Sequence, residues 1–162
     1  MIKLIVRALG VVVPLTLLIA PVTQASSQAS LAEVRQATAK FHDPAVARLA
    51  QYNPLLACFD LPGVGGMGQH YVNTGLLDGT VNAAEPEALV YEVDGDRLQL
   101  VAVEYIIPLS AWQSADKPTL FDREFTRIDS LGLWALHAWI WRPNPDGIFA
   151  NYNPSVRMCP GH

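Results

Sequence analysis

The sequence lacks most of the short motifs by which enzymes and nucleotide-binding proteins are identified. It contains no Gly-x-Ser-x-Gly and no His-Glu-x-x-His string. Its glycine run, GVGGMG at residues 63–68, is not followed by the Lys-Ser/Thr pair of a phosphate-binding loop. These absences argue against a nucleophilic hydrolase of the common serine type, a zincin protease and a nucleotide site.

Basic residues are also scarce. Eleven Lys and Arg residues face fifteen Asp and Glu residues, which gives a formal net charge of −4, and the chain has no basic run. An acidic domain of this kind is repelled by nucleic acid and by an anionic membrane surface. We therefore expect no nucleic-acid partner.

The N-terminus is the one long uncharged stretch. Lys3 and Arg7 precede an apolar run, ALGVVVPLTLLIAPV, and small residues follow near Ala25. This is the layout of a signal peptide. It predicts a cleaved segment at 1–25, a single mature domain at 26–162, export to the periplasm or the extracellular space, and no stable membrane anchor after cleavage. An uncleaved anchor is the alternative, although Pro14 interrupts the run and about 20 apolar residues are usual for a span.

Cysteine occurs only twice, as Cys58 and Cys159. In an exported protein an even pair predicts a disulfide, and no Cys-x-x-Cys spacing points to a structural zinc site. Two free thiols, one of them a zinc ligand, are the alternative. The predicted disulfide would close about 100 residues, which the chain-entropy account values at roughly 4–5 kcal/mol.

Two helices are predicted at the start of the mature chain. Ser30 opens an S-x-x-E capping box, and apolar residues at helical spacing follow it, so we expect a helix over 30–41. Asp43-Pro44 has the form of an N-cap followed by proline at the first helical position. The second helix is expected to stop near Asn53, because Pro54 disfavours a helical residue before it.

The rest of the chain reads as strands and turns. Short strands are expected over 55–61 and 70–74, with the glycine run between them as a loop, and Leu131 to Trp141 is a long apolar and aromatic segment. Two β-rich runs, 88–93 and 97–108, flank Asp94-Gly95, which is the strongest hairpin signal in the sequence. The predicted fold class is α+β: an N-terminal helical segment packed on a mostly antiparallel β-sheet or partial barrel, with one disulfide.

Glu104 is the most informative position by pattern. Alternation along the strand at 97–108 would put it on one face with four apolar residues, Leu98, Leu100, Ala102 and Ile106. A carboxylate in such surroundings must be paired, protonated or bound to a metal. The alternative is an edge position open to water or a structural pair with an arginine.

Two histidines pose the same question as Glu104. His137 lies among leucine, alanine and tryptophan, and His70 follows glycines that allow close backbone approach. Two histidines and one carboxylate on three strands can form a facial site for a divalent metal, with open positions. Glu92 is a candidate fourth oxygen ligand, and Tyr71, on the opposite face of its strand from His70, is included as a ligand-binding candidate.

Three functions are compatible with this cluster. The first is an exported domain that binds a small molecule or a metal ion at His70, Glu104 and His137. The second is a metal-dependent or acid–base enzyme that uses the same residues, with Glu104 and a histidine exchanging protons. The third is a structural or interaction module in which these side chains satisfy one another in the core.

Five strings together resemble a family of small exported bacterial proteins. They are KFHDPAVA (40–47), GMGQHYVN (66–73), PEALVYE (86–92), LQLVAVEYIIP (98–108) and LHAWIWRPNPDGIFANYNPSVRMC (136–159). The resemblance covers most of the mature chain and implies export. It implies no activity, so the candidate residues rest on the pattern alone.

Overall fold

The computed structural model describes residues 25–55 and 57–161, with the side chains of residues 25–30 left out. The predicted signal peptide, apart from Ala25, lies outside the described residues. Among the helices of the described part, none combines the length and the apolar character that crossing a membrane requires.

The N-terminal segment is helical. Helix α1 (Ala25–Thr38) continues into a 3₁₀ turn (Ala39–His42), and helix α2 (Pro44–Leu49) follows. The Asp43 carboxylate accepts a hydrogen bond from the Ala45 backbone N–H, which confirms the predicted cap. The expected start of α1 at Ser30 is wrong, because the helix already includes Ala25.

An open antiparallel sheet makes up the rest of the fold. Its strands are β1 (Asn53–Pro54), β2 (Phe59–Leu61), β3 (Gly65–Val72), β4 (Ala88–Asp94), β5 (Arg97–Pro108), β8 (Thr126–Ile128) and β9 (Leu133–Ala138), and β6 (Thr119–Leu120) and β7 (Arg123–Glu124) form a separate ribbon. The order across the sheet is β1-β3-β4-β5-β9-β8, with β2 paired to the start of β3. The α+β class with a mostly antiparallel sheet is therefore confirmed.

Most of the glycine run is strand and not the expected loop, because only residues 62–64 form a turn. Strand β3 begins at Gly65 and pairs first with β2 and then with β4. A Cβ atom on Gly68 would lie 2.6 Å from the Tyr91 carbonyl oxygen, and Gly68 has a φ of +104°. Glycine is required there because β3 and β4 approach each other so closely. From the sequence alone, the same glycines had indicated a loop.

The hairpin at Asp94-Gly95 is confirmed, but it contains a β-bulge. Val90 pairs with Ala102 and Tyr91 pairs with Leu100, so Val101 is the extra residue. The side chains of Val101 and Ala102 both pack with Val90. The expected simple alternation is therefore wrong: Leu98 and Leu100 contribute to the core on the other face from Glu104.

The two faces of the sheet are covered differently. One face carries the main apolar core and is covered by the helical segment, through Leu31, Val34 and Phe41. The other face is crossed by the chain after β9: Asn153 donates its backbone N–H to the Gly66 carbonyl, and Val156 packs near Val90. We refer to these two sides as the helical face and the site face.

A disulfide fastens the cover of the site face. Cys58 and Cys159 are bonded, with an S–S distance of 2.05 Å and a sequence separation of 101. Cys58 lies just before β2, and the Cys159 backbone N–H also donates to the Asp60 carboxylate on that strand. A structural disulfide indicates a protein outside the reducing cytoplasm.

Candidate metal centre

Strands β3, β5 and β9 bring His70, Glu104 and His137 together, with β4 between β3 and β5. Glu104 on β5 is directly opposite His137 on β9 and opposite Ala88 on β4, and Val90 of β4 is opposite His70 on β3. Directly opposite residues on paired strands lie on the same face of a sheet, and so do residues two apart on one strand. All three side chains therefore lie on the site face. Each of the three is buried.

The polar atoms of the cluster converge on one point. His70 Nε2 lies 3.4 Å from His137 Nε2. The Glu104 carboxylate spans the pair, with Oε2 3.2 Å from His70 Nε2 and Oε1 3.4 Å from His137 Nε2. Both rings therefore point the same nitrogen at the same carboxylate.

These separations match those of ligands around one metal ion. Two nitrogens bound to a tetrahedral zinc at about 2.0–2.1 Å lie about 3.3–3.4 Å from each other. One ligand atom from each of the three residues can be chosen so that all three atoms lie within 4.8 Å of one another. The cluster could hold a metal ion with three protein ligands, which leaves at least one position for another ligand.

Aromatic rings pack against the two histidines, whose Nδ1 atoms make no hydrogen bond within the described residues. Neither Nδ1 atom, of His70 or of His137, has a hydrogen-bond partner in the described part of the chain, although both atoms are buried. The Phe59 ring meets the His70 ring edge-on at 5.7 Å, and the Trp139 ring stacks on His137 at 6.0 Å. The packing of these rings fixes the direction of each Nε2 atom.

The protonation states favour a cation at this point. Burial acts to raise the pKa of Glu104, but His137, His70 and the hydrogen bond with His70 outweigh it and lower the pKa to about 2. Burial lowers the pKa of His137, and the charge of His70 adds to that effect, while Glu104 opposes it. At neutral pH the cluster therefore presents a carboxylate and a neutral His137 imidazole, which are the forms that bind metals.

The structure places two other candidates away from the cluster. Glu92 accepts hydrogen bonds from Arg142 Nη2 at 3.0 Å and from the Arg157 backbone N–H at 2.9 Å, so the expected fourth metal ligand is instead a buried partner of two arginines. Tyr71 packs on Tyr91 within the helical-face core at 4.8 Å between ring centroids. Its expected role as a binding residue is not compatible with that position.

A cavity of about 290 Å³ lies directly over the cluster. Besides the three cluster residues, the polar side chains that line it are Asn151 and Tyr152. Its walls are otherwise apolar: Leu55, Phe59, Met67, Val72, Leu77, Ile106, Ile128, Leu131, Leu133 and Ala135. Small-molecule sites in proteins have this composition of apolar walls around a few polar groups.

The sequence contained a signal for some of these wall residues. Val72, Ile106 and Ala135 are two positions away from His70, Glu104 and His137, so strand alternation alone would have placed them on the same face. The loop residues Leu55 and Leu131 carry no such signal, because their position depends on the tertiary fold.

Comparison of this chain with protein-family models, with curated proteins and with solved structures found no match. Any assignment of function therefore rests on the geometry of its own residues.

Proposed function

We propose that this protein is an exported domain that binds one divalent transition-metal ion, with zinc as the best fit, through His70, Glu104 and His137. The observation that carries the proposal is the 3.4 Å separation of the two Nε2 atoms over a shared, buried carboxylate. That distance equals the separation of two nitrogen ligands in a tetrahedral zinc site, and histidine nitrogen and carboxylate oxygen are both ligands that zinc accepts. The disulfide supports a location outside the cytoplasm.

A purely structural cluster is less consistent with the buried Nδ1 atoms. Burying a polar atom without a partner costs about 1–3 kcal/mol, and a cluster retained for stability alone is expected to satisfy its members. A metal ion bound at both Nε2 atoms does not itself satisfy the Nδ1 atoms, but its binding free energy can offset the cost of leaving them unpaired, a gain that a purely structural cluster lacks.

The test is elemental analysis of the mature, oxidised protein purified without chelators. We expect about one zinc ion per chain, and loss of that ion in both His70→Ala and His137→Ala. His42→Ala is the matched control, because His42 is an exposed histidine whose ring contacts Trp141 and not the cluster.

Cobalt substitution provides a second measurement on the same variants. Cobalt(II) in a tetrahedral site of nitrogen and oxygen ligands gives visible absorption bands, which we expect in the wild-type protein and in His42→Ala alone. Wild-type protein that is folded, metal-free and unable to take up zinc or cobalt would refute the proposal.

A second candidate is an acid–base cluster that works without a metal. The observation in its favour is the direct contact of His70 Nε2 with Glu104 Oε2 at 3.2 Å, a distance that a single proton can bridge. This candidate predicts a folded wild-type protein that neither contains nor takes up metal, so the same elemental analysis separates it from the first.

A further inference from the structure

The charge of the site, once loaded, determines what else it can bind. A divalent ion and the Glu104 carboxylate together leave one positive charge. No lysine or arginine lines the cavity in the described part of the chain, and Glu104 is its one acidic residue. A single negative charge on an incoming ligand would therefore neutralise the buried site, whereas a second would be left unpaired at high cost.

The rest of the cavity sets the size and character of the ligand. Its volume of about 290 Å³ lies at the lower end for small-molecule sites. At about 30 Å³ per water-sized group, it holds roughly eight to ten methylene-sized groups. Because nearly all of the wall is apolar, the ligand must be apolar except at the end that meets the metal.

Exposed leucines mark the mouth of the cavity. Leu131 is 51% exposed and Leu55 is 42% exposed, and both line the cavity. The cluster lies at the buried end. A chain-like ligand would therefore place its polar head on the metal and its apolar tail toward Leu131.

From these features we infer that the cavity binds an amphiphile with one anionic oxygen-donor head and an apolar body of roughly six to ten carbons, such as a medium-chain monocarboxylate. The head completes the coordination of the metal and the body fills the apolar cavity. This inference rests on the proposed metal site, since Glu104 alone would repel an anion.

The experiment is calorimetric titration of the zinc-loaded mature protein with butanoate, hexanoate and octanoate. Affinity is expected to rise about fourfold for each added methylene, equivalent to about 0.8 kcal/mol. Octan-1-ol, which has the same length without the charge, is expected to bind at least about tenfold more weakly than octanoate. Metal-free protein is expected to show no octanoate binding.

A pair of exposed leucines provides the matched variants. Leu131→Asp removes an apolar group from the mouth and adds a negative charge that repels the octanoate carboxylate. We therefore expect at least about tenfold weaker octanoate binding, with zinc stoichiometry unchanged. Leu49→Asp changes an 82% exposed leucine on α2, which does not line the cavity, and is expected to have no effect.

The outcomes separate this inference from the metal site itself. If zinc binds at one per chain but affinity is independent of chain length, or octan-1-ol equals octanoate, or Leu131→Asp binds octanoate as the wild type does, the ligand assignment is overturned and the metal site stands. If the folded wild-type protein binds no zinc, both are overturned.

Discussion

The two faces of the sheet treat their buried polar groups in opposite ways. On the helical face the hydroxyls of Tyr52, Tyr91 and Tyr105 each donate to a backbone carbonyl at 2.7–2.8 Å. On the site face the Nδ1 atoms of His70 and His137 have no partner among the described residues. The helical face therefore satisfies these buried polar groups within the chain, whereas the site face leaves two of them unsatisfied, at a cost of about 1–3 kcal/mol each.

Two buried glutamates show the same contrast. Glu87, just before β4, accepts a hydrogen bond from the Ile106 backbone N–H, and burial raises its pKa to about 7. Glu104 is also buried, yet its pKa is lowered to about 2 because two histidines face it. Burial acts in the same direction on both carboxyls, and the neighbouring groups determine whether the carboxyl keeps its proton.

The largest expected effect comes from releasing the cover of the site face. Replacing both cysteines, Cys58→Ser with Cys159→Ser, removes a link between positions that are 101 apart in the sequence. We expect the free energy of unfolding to fall by about 4–5 kcal/mol, measured by urea denaturation. Hydrogen exchange is expected to rise most in the segment that crosses the site face and least in the helical face.

The oxidised wild-type protein, with and without a reducing agent, is the control for that variant. Reduction breaks the disulfide but keeps both sulfur atoms. It should therefore lower the free energy of unfolding by a similar amount if the loss in the variant comes from the missing bond and not from the packing of the sulfur atoms. A loss below about 1 kcal/mol in both experiments would show that the site face is held by its other contacts.

Glu104→Gln in metal-free protein is the next largest change. Glutamine cannot ionise, so the variant loses the stability that accompanies the lowered pKa of Glu104, and we expect the free energy of unfolding at pH 7 to fall by roughly 3 kcal/mol. A carboxyl whose pKa is lowered in the folded state stabilises the fold at pH values above 4.5, its pKa in the unfolded chain. This contribution is lost as the pH falls toward about 2, its pKa in the folded protein. The deficit of the variant is therefore expected to shrink below pH 4.5.

Glu87→Gln is expected to do the reverse. A carboxyl with a raised pKa stabilises the fold below pH 4.5, and this contribution is lost as pH rises through about 7. A glutamine cannot ionise, so the variant should match the wild type near pH 4 and exceed it at pH 8 by on the order of 2 kcal/mol. Urea denaturation at the two pH values measures both glutamate variants, and parallel curves for the two would show that the faces do not differ as described.

The smallest expected effect is that of Tyr91→Phe on the helical face. The Tyr91 hydroxyl donates to the Phe41 carbonyl at 2.7 Å, and its loss leaves that oxygen without this partner. We expect about 1 kcal/mol lower stability and an unchanged zinc content. A change in metal content would mean that the two faces are not independent.

The hairpin, the helix cap and the disulfide could be predicted because each depends on residues that act locally or on a unique pair. Asp94-Gly95 allows only a narrow set of turns, Asp43-Pro44 caps whatever helix follows it, and two cysteines leave one possible bridge. The three cluster residues could be singled out because a carboxylate and histidines are conspicuous in apolar strands.

Other features depended on contacts between distant segments. The bulge at Val101 reverses the expected face of Leu98 and Leu100, and nothing in the local sequence marks it. Glu92 has the same pattern as Glu104, yet it meets Arg142 and the Arg157 backbone, which come from a segment about 50 to 65 residues later. Pattern alone distinguishes buried from exposed carboxyls, but it does not identify their partners.

The bulge at Val101 also lies beside the end of a strand. The Val101 carbonyl accepts hydrogen bonds from the backbone N–H groups of both Trp141 and Arg142, just beyond the end of β9 at Ala138. These bonds hold the chain against β5 beyond the end of β9, and from there it returns across the site face and brings Asn151 and Tyr152 to the cavity. The extra residue of β5 is therefore a point of attachment for the segment that shelters the cluster.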